Sequence, residues 1–214
     1  MNTKKAMTKE KYIETLTTED EFLKDLRKFS ETYHIPIADL EVERFLEFLI
    51  KSKKPKKILE LGTAVGYSTI HFARNDFVER VLTVEVREDM ASIALSNFKK
   101  LCLDSKIELR LNDAFEELKV IDEEFDFIFI DAAKGQYKYY FDEAVKHLAK
   151  GGIIVCDNVL FKGMVADDSK VVKRKITIVR RLREFLDYVF KDERFFASLV
   201  DVGDGVLFVR RRDE

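Results

Sequence analysis

From Lys56 to Cys156 the chain alternates between short apolar runs and longer segments whose apolar residues recur at helical spacing. That alternation predicts βαβ units around a parallel sheet, with strands near 57–61, 80–85, 106–111, 125–130 and 151–156. Helices are predicted near 66–74, 88–103, 114–118 and 136–149. A longer one is predicted over 169–190, where Val172, Ile176, Val179, Leu182, Phe185, Leu186 and Val189 keep the period of a buried face. Two further apolar runs, 195–202 and 206–210, flank Gly203-Asp204-Gly205, read as a tight turn between antiparallel strands. A parallel pair would need a crossover of a dozen or more residues there.

Ahead of the sheet, residues 1–11 are polar and expected to fray. Tyr12, Ile13, Leu16, Phe22, Leu23, Leu26 and Phe29 then predict one or two amphipathic helices. Pro36 is expected to start the next helix, which carries Ile37, Leu40, Phe45, Leu46, Phe48, Leu49 and Ile50 and ends at the Lys51-Ser52-Lys53-Lys54-Pro55 breaker. The fold class expected is α/β: a Rossmann-like seven-stranded sheet, mostly parallel with an antiparallel last strand, helices on both faces and extra N-terminal helices. A length of 214 residues suits one domain, with residues 1–54 as a helical layer and 55–214 as the core. No internal repeat or low-complexity tract is visible.

Composition narrows the partners. The 38 basic and 40 acidic residues nearly cancel, so the chain lacks the overall footprint of a strongly basic nucleic-acid binder, and any RNA contact must be local. Cys102 and Cys156 have no ligand spacing and are expected to be reduced and buried. No apolar run approaches the roughly 18 residues that span a bilayer, and the lysine-rich N-terminus lacks a signal peptide's apolar stretch. A cytoplasmic protein without membrane contact is expected.

The chemistry gathers at the strand ends, where open α/β sheets bind their ligands. Strand one ends at Glu60 and runs into the loop of Gly62 and Gly66, after which Tyr67 and Ser68 open a helix. Strand two ends at Glu85, about twenty residues on, where an acid can accept from both hydroxyls of a ribose. Strand three leads to Asn112-Asp113-Ala114, placed to meet an adenine amino group; strand four ends at Asp131 and strand five at Asp157-Asn158. Singly, each has a structural explanation, such as Asp113 capping the following helix. Five successive strands delivering acid or amide groups to one edge argue for a shared ligand. A dinucleotide loop would carry glycine where Glu60 stands, and a carboxylate aimed at a pyrophosphate repels it. S-adenosylmethionine, cationic at its sulfonium and ammonium and free of phosphate, fits the acidic rim better than NAD.

The run Glu60 to Gly66, Glu85, Asp131-Ala132-Ala133-Lys134 and Asp157-Asn158 resemble the class I S-adenosylmethionine-dependent O-methyltransferases, in particular the cation-dependent branch that includes caffeoyl-CoA and catechol O-methyltransferases. The resemblance covers roughly residues 36–211, with Ala64 departing from a further glycine common in such loops. It implies a cofactor site of Glu60, Gly62, Gly66, Tyr67, Ser68, Glu85, Asp113, Ala114 and Asp131. It also implies a divalent cation, Mg²⁺ or similar, on Asp131, Asp157 and Asn158, whose oxygens are hard ligands. Lys134 is implied to help deprotonate the hydroxyl that is methylated, with Asp131 beside it.

Within that branch, residues 130–137 and 157–163 resemble bacterial enzymes that methylate 5-hydroxyuridine at the tRNA wobble position. This implies a tRNA anticodon loop as partner, held by local cations: Lys53, Lys54, Lys56, Lys57, Lys162, Lys170, Lys173, Arg174, Lys175, Arg180, Arg181 and Arg183 are available. A small phenolic acceptor is the alternative, with Phe161, Met164, Val165 and Tyr137 able to line its pocket. An NAD-dependent oxidoreductase and a non-catalytic binding module are the remaining alternatives; Glu60 argues against the first, the complete set Asp131, Lys134, Asp157 and Asn158 against the second. The resemblance also implies a homodimer, with the apolar N-terminal helices as a possible interface.

Overall fold

The computed structural model describes residues 7–212. Seven strands, β1 (Lys57–Leu61), β2 (Arg80–Glu85), β3 (Ile107–Leu111), β4 (Phe125–Ile130), β5 (Leu148–Cys156), β6 (Phe195–Val200) and β7 (Val206–Arg211), form one sheet in the order β3-β2-β1-β4-β5-β7-β6. The first five are parallel, while β7 runs antiparallel to both β5 and β6. The order reverses between β1 and β4, so the carboxyl ends of those two strands flank a crevice of the kind in which doubly wound sheets bind ligands. Nearly every position of β1, β2 and β4 is buried, as expected of parallel strands covered on both faces.

Among the described residues there are eight α-helices: α1 (Lys9–Leu16), α2 (Glu21–Thr32), α3 (Leu40–Lys53), α4 (Tyr67–Ala73), α5 (Glu88–Lys100), α6 (Ala114–Val120), α7 (Tyr137–Ala144) and α8 (Ile176–Lys191). One apolar cluster joins α6, α7 and α8 to the sheet through Leu118, Phe141, Leu182 and Phe185. The other joins α2, α3, α4 and α5 to the opposite face through Leu26, Leu46, Ile70 and Phe98. Among the described residues, no helix is long and apolar enough to cross a membrane.

Several boundaries differ from the expected ones for physical reasons. The N-terminal helical region is two helices, one of the two expected arrangements, because Asp20 turns extended and its side chain accepts from the Leu23 amide to cap α2. Residues 1–6 of the segment expected to fray lie outside the described residues. Pro36 does not start α3: residues 35–39 run without helical structure until Asp39, the extended residue before Leu40. The long late helix begins only at Ile176, preceded by single 3-10 turns at Asp168–Lys170 and Lys173–Lys175. A helix starting earlier would stack Lys173, Arg174 and Lys175 into its first turns, against its own dipole. The expected tight turn is a five-residue loop, 201–205. Cys102 is exposed rather than buried, in a left-handed turn (φ +55°) just past α5, whereas Cys156 is buried as expected.

Candidate active site

The carboxyl ends of β1, β2 and β4 open onto a cavity of about 340 Å³. Gly62, Tyr67, Ser68, Glu85, Asp113, Ala114, Asp131, Lys134 and Asn158 line it, so most of the residues singled out in the sequence meet around one space. Gly62 takes φ +104° and its amide donates to the Val84 carbonyl, which turns the chain off β1 and across the top of β2. Ala64 adopts φ +46°, the left-handed region that glycine favours, at a cost of roughly 1–2 kcal/mol. Its amide donates to Glu85 Oε2 at 2.8 Å, and this bond holds the strained loop in place.

Glu85 binds backbone on both oxygens. Besides Ala64, the amides of Val86 and Arg87 donate to Oε1 at 2.9 and 2.8 Å. A carboxylate offers about four acceptor sites, so three are occupied and about one remains for a ligand hydroxyl. Asp113 has a similar double duty: its Oδ1 accepts from the Phe115 and Glu116 amides and caps α6, while the residue still borders the cavity.

Glu60, Gly66 and Asp157 stand behind the cavity wall rather than in it. Glu60 is fully buried and accepts from Thr69 and from Thr83, the latter at 2.5 Å, while its Oε1 has no partner. Burial pushes its carboxyl up to about 8, against the lowering effect of the two threonines. The expected contact of Glu60 with a ligand is therefore replaced by a bond network beneath the loop. Thr63 lies 2.6 Å from Thr83, and since the Thr83 proton goes to Glu60, the Thr63 proton goes to Thr83. Gly66 (φ +85°) backs onto Phe98, where a Cβ would meet the ring.

At the opposite end, the Lys134 ammonium sits 2.5 Å from Asp131 Oδ1, both side chains about one-fifth exposed. Asp157 lies below them with no exposed surface. Its Oδ1 accepts from the Asn158 amide at 2.6 Å, and its Oδ2 has no partner. Burial raises the Asp157 carboxyl first, and the neighbouring Asp131 charge raises it further. Tyr137, whose hydroxyl donates to the Asp157 carbonyl at 2.7 Å, fixes that strand end from within the core. No group of three or more His, Cys, Asp or Glu side chains is gathered for a metal among the described residues, so the candidate set is two carboxylates and the Asn158 amide.

Asn158, Phe161 and Lys162 all take positive φ, between +48° and +57°. The 201–205 loop holds this strained segment: the Asp204 carboxylate accepts from the Lys162 amide at 2.6 Å, and the Asp204 and Gly205 carbonyls accept from Leu160 and Val159. Asp204 thus braces the site from a turn whose sequence announces only a chain reversal. Residues 35–38 were missed for a related reason. They line the cavity as an irregular stretch where the apolar pattern points to helix. The Lys162 side chain is exposed and does not line the cavity.

The family model for O-methyltransferases matches residues 13–212. The chain belongs to that family. The caffeoyl-CoA O-methyltransferase of Stellaria longipes is 32% identical to this O-methyltransferase over 206 residues, covering 90% of this chain and 84% of that protein. The catechol O-methyltransferase of Niastella koreensis is 39% identical over 131 residues, 59% of each chain. Among solved structures, the Bacillus cereus O-methyltransferase in complex with SAH superposes with a TM-score of 0.82 at 30% identity, covering 95% of this chain and 96% of that one.

Proposed function

We propose that this chain transfers a methyl group from S-adenosylmethionine to one hydroxyl of an acceptor bearing two adjacent oxygens, with a small catechol-like phenol as the first substrate class. The observation that carries the reading is the meeting of the Lys134–Asp131 pair with Asn158 and the buried Asp157 at one end of the cavity, opposite Glu85 and Asp113. Glu85 and Asp113 would hold the nucleoside, with Asp113 and Ala114 beside the adenine. Gly62 lets the backbone approach the ligand, Tyr67 and Ser68 face its methionine end, and Asp131 lies between the methionine end and the acceptor.

A hard divalent cation such as Mg²⁺ suits the remaining donors, Asp131, Asp157 and the Asn158 amide oxygen. Support comes from Asp157 Oδ2, a buried oxygen without a hydrogen-bond partner among acids that raise one another's cost of charge. The chemistry such an ion supplies when bound is Lewis acidity toward neighbouring acceptor oxygens. Lys134, oriented by the Asp131 carboxylate, would set its ammonium beside the acceptor oxygen and stabilise the oxyanion as the hydroxyl proton leaves to solvent.

A second reading, 5-hydroxyuridine at the tRNA wobble position, offers the same pair of adjacent oxygens on a ring. One feature favours it. Residues 162–183 carry eight lysines and arginines against two acids in a chain of net charge -2, and Arg181 bonds the Gly135 carbonyl beside Lys134 at 3.2 Å. Methyl transfer to a catechol panel and to 5-hydroxyuridine tRNA, with and without EDTA, separates the two. Transfer to an acceptor with adjacent oxygens is expected, falling by about 10²-fold or more in chelator and returning with Mg²⁺. Undiminished turnover in excess EDTA would remove the metal from the scheme, and equal turnover of monophenols would remove the two-oxygen requirement.

A homodimer also belongs to this reading. Its support is exposed aromatic surface on neighbouring elements: Phe48 on α3 is 71% and Phe196 on β6 58% exposed, and Phe45 of α3 packs its ring against Phe208 of β7, the strand paired with β6. Sedimentation is expected to give twice the chain mass for the wild type and to shift toward monomer for Phe48→Glu/Phe196→Glu. A monomeric wild type at micromolar concentration would end that assignment.

A further inference from the structure

Thr63, Tyr67 and Ser68, which follow β1, bring three of the hydroxyls that line the cavity. All three are bonded to groups behind the wall. The Thr63 proton runs through Thr83 toward Glu60, and the Tyr67 hydroxyl donates to Glu19, which is itself paired with Arg27 at 2.6 Å. Ser68 Oγ and Glu43 Oε1 share a hydrogen bond, in which the serine donates when Glu43 is ionised. Glu43, in the first turn of α3, has no exposed surface, and its Oε2 has no partner at all. Leaving a carboxyl oxygen buried and unpaired costs about 1–3 kcal/mol, so this arrangement calls for a reason.

If the nucleoside lies at Glu85 and Asp113 and the methyl group faces Lys134, the methionine tail falls against this wall. Its carboxylate needs a donor there, and Ser68 can serve only when Glu43 does not take the serine's proton. We propose that Glu43 is a positioning residue that works in its neutral form: its carboxylic acid proton is donated to Ser68 Oγ, which turns the serine hydroxyl outward to donate to the methionine carboxylate of S-adenosylmethionine. Ionised Glu43 would do the opposite, holding the serine proton and setting a negative charge behind the ligand's own.

The surroundings favour the neutral form. Burial pushes the Glu43 carboxyl up to about 8, Ser68 draws it down, and the acids facing it, Glu60 on β1 and Asp157 and Asp131 beyond β5 and β4, push it up again. Tyr67, on α4 beside Ser68, also bears on this charge. The acid proton is therefore present at neutral pH and lost as pH rises through about 8. The inference rests on S-adenosylmethionine as the cofactor.

Calorimetric binding of S-adenosylhomocysteine and of methylthioadenosine, which has no carboxylate, tests it across pH 6.5 to 9.5. Wild type is expected to bind S-adenosylhomocysteine more weakly above pH 8, whereas Glu43→Gln, which keeps a donor at every pH, should bind within about twofold of wild type at pH 7 and lack that extra weakening. Glu43→Ala should lose roughly tenfold for S-adenosylhomocysteine and nothing for methylthioadenosine. Equal losses for both ligands would reduce Glu43 to a packing role, and superimposable pH profiles for wild type and Glu43→Gln would end the proposal. Failure of the wild type to bind S-adenosylhomocysteine at any pH would instead count against the cofactor. Should Glu43→Ala not fold, Ser68→Ala gives the same discrimination, since in that background Glu43→Gln should no longer alter the pH profile.

Discussion

Asp157→Asn is expected to abolish most methyl transfer, by on the order of 10²–10³-fold, while the protein keeps or slightly gains thermal stability. The two effects have opposite signs because the same carboxylate is costly to the fold and useful to the site. Asp157 has no exposed surface, one of its oxygens has no partner, and the charge of Asp131 stands close enough to raise it further. An isosteric amide replaces a carboxyl that burial and the Asp131 charge make costly to ionise, and it leaves the Tyr137 bond untouched, since that bond ends on the Asp157 backbone carbonyl. What is lost is the negative oxygen proposed to meet a cation. Parallel melting curves and initial rates check this. A variant that is destabilised by several kcal/mol, or one that turns over at the wild-type rate, would show that Asp157 serves the fold and not the reaction.

The same tension runs through the site. Glu43, Glu60 and Asp157 each bury a carboxyl with one unpartnered oxygen, and all three lie just behind the cavity wall. Clustering of such unpaired oxygens behind one wall is hard to reconcile with stability alone, because well-packed apolar residues of similar volume would cost less. Their shared position ties the cost to the cavity.

Much of this was legible in the sequence because it follows from local pattern. Strand ends come from the period change between apolar runs and helices, and an acid at a strand end is delivered to the sheet's edge whatever the tertiary detail. Glu85, Asp113, Asp131 and Asn158 were therefore found in the cavity. The direction a side chain takes beyond the last strand residue is a different matter. Glu60 is one residue short of the strand's end, so the alternation of β1 turns it into the face covered by α4, where Thr69 and Thr83 claim it. Residues 35–38 share the cavity wall with the ends of strands that lie later in the chain, and Asp204 bonds the Lys162 amide about forty residues away, which no local period encodes. Glu43 was hidden by its helix: an acid in the first turn is an ordinary helix-dipole choice, and only burial marks it as something more.

Gly62→Ala should damage the protein twice, through the fold and through the site. At φ +104° an L-residue is strained by about 1–3 kcal/mol, and a Cβ built there falls inside the Asp131 carbonyl, which belongs to backbone and cannot swing aside. Relief requires β1 and β4 to part at the ends where the Asp131 amide donates to the Leu61 carbonyl at 2.9 Å, adding an overpacking cost of roughly 1–3 kcal/mol. For a domain of this size a loss of that order lowers the melting temperature by roughly 5–20 °C. Whatever fraction stays folded should carry Asp131, and with it Lys134, out of place, and a shift of about 1 Å can cost 10²-fold in rate. Gly151→Ala supplies the comparison, since that glycine also has positive φ (+70°) but open space where its Cβ would stand. It should pay only the conformational cost, about 1 kcal/mol, with full activity. If the two variants melt together, the crowding at Asp131 is not what makes glycine necessary at position 62; if Gly62→Ala melts far lower and is also slow, the loop's backbone is what holds the carboxylate at the strand end against the cavity.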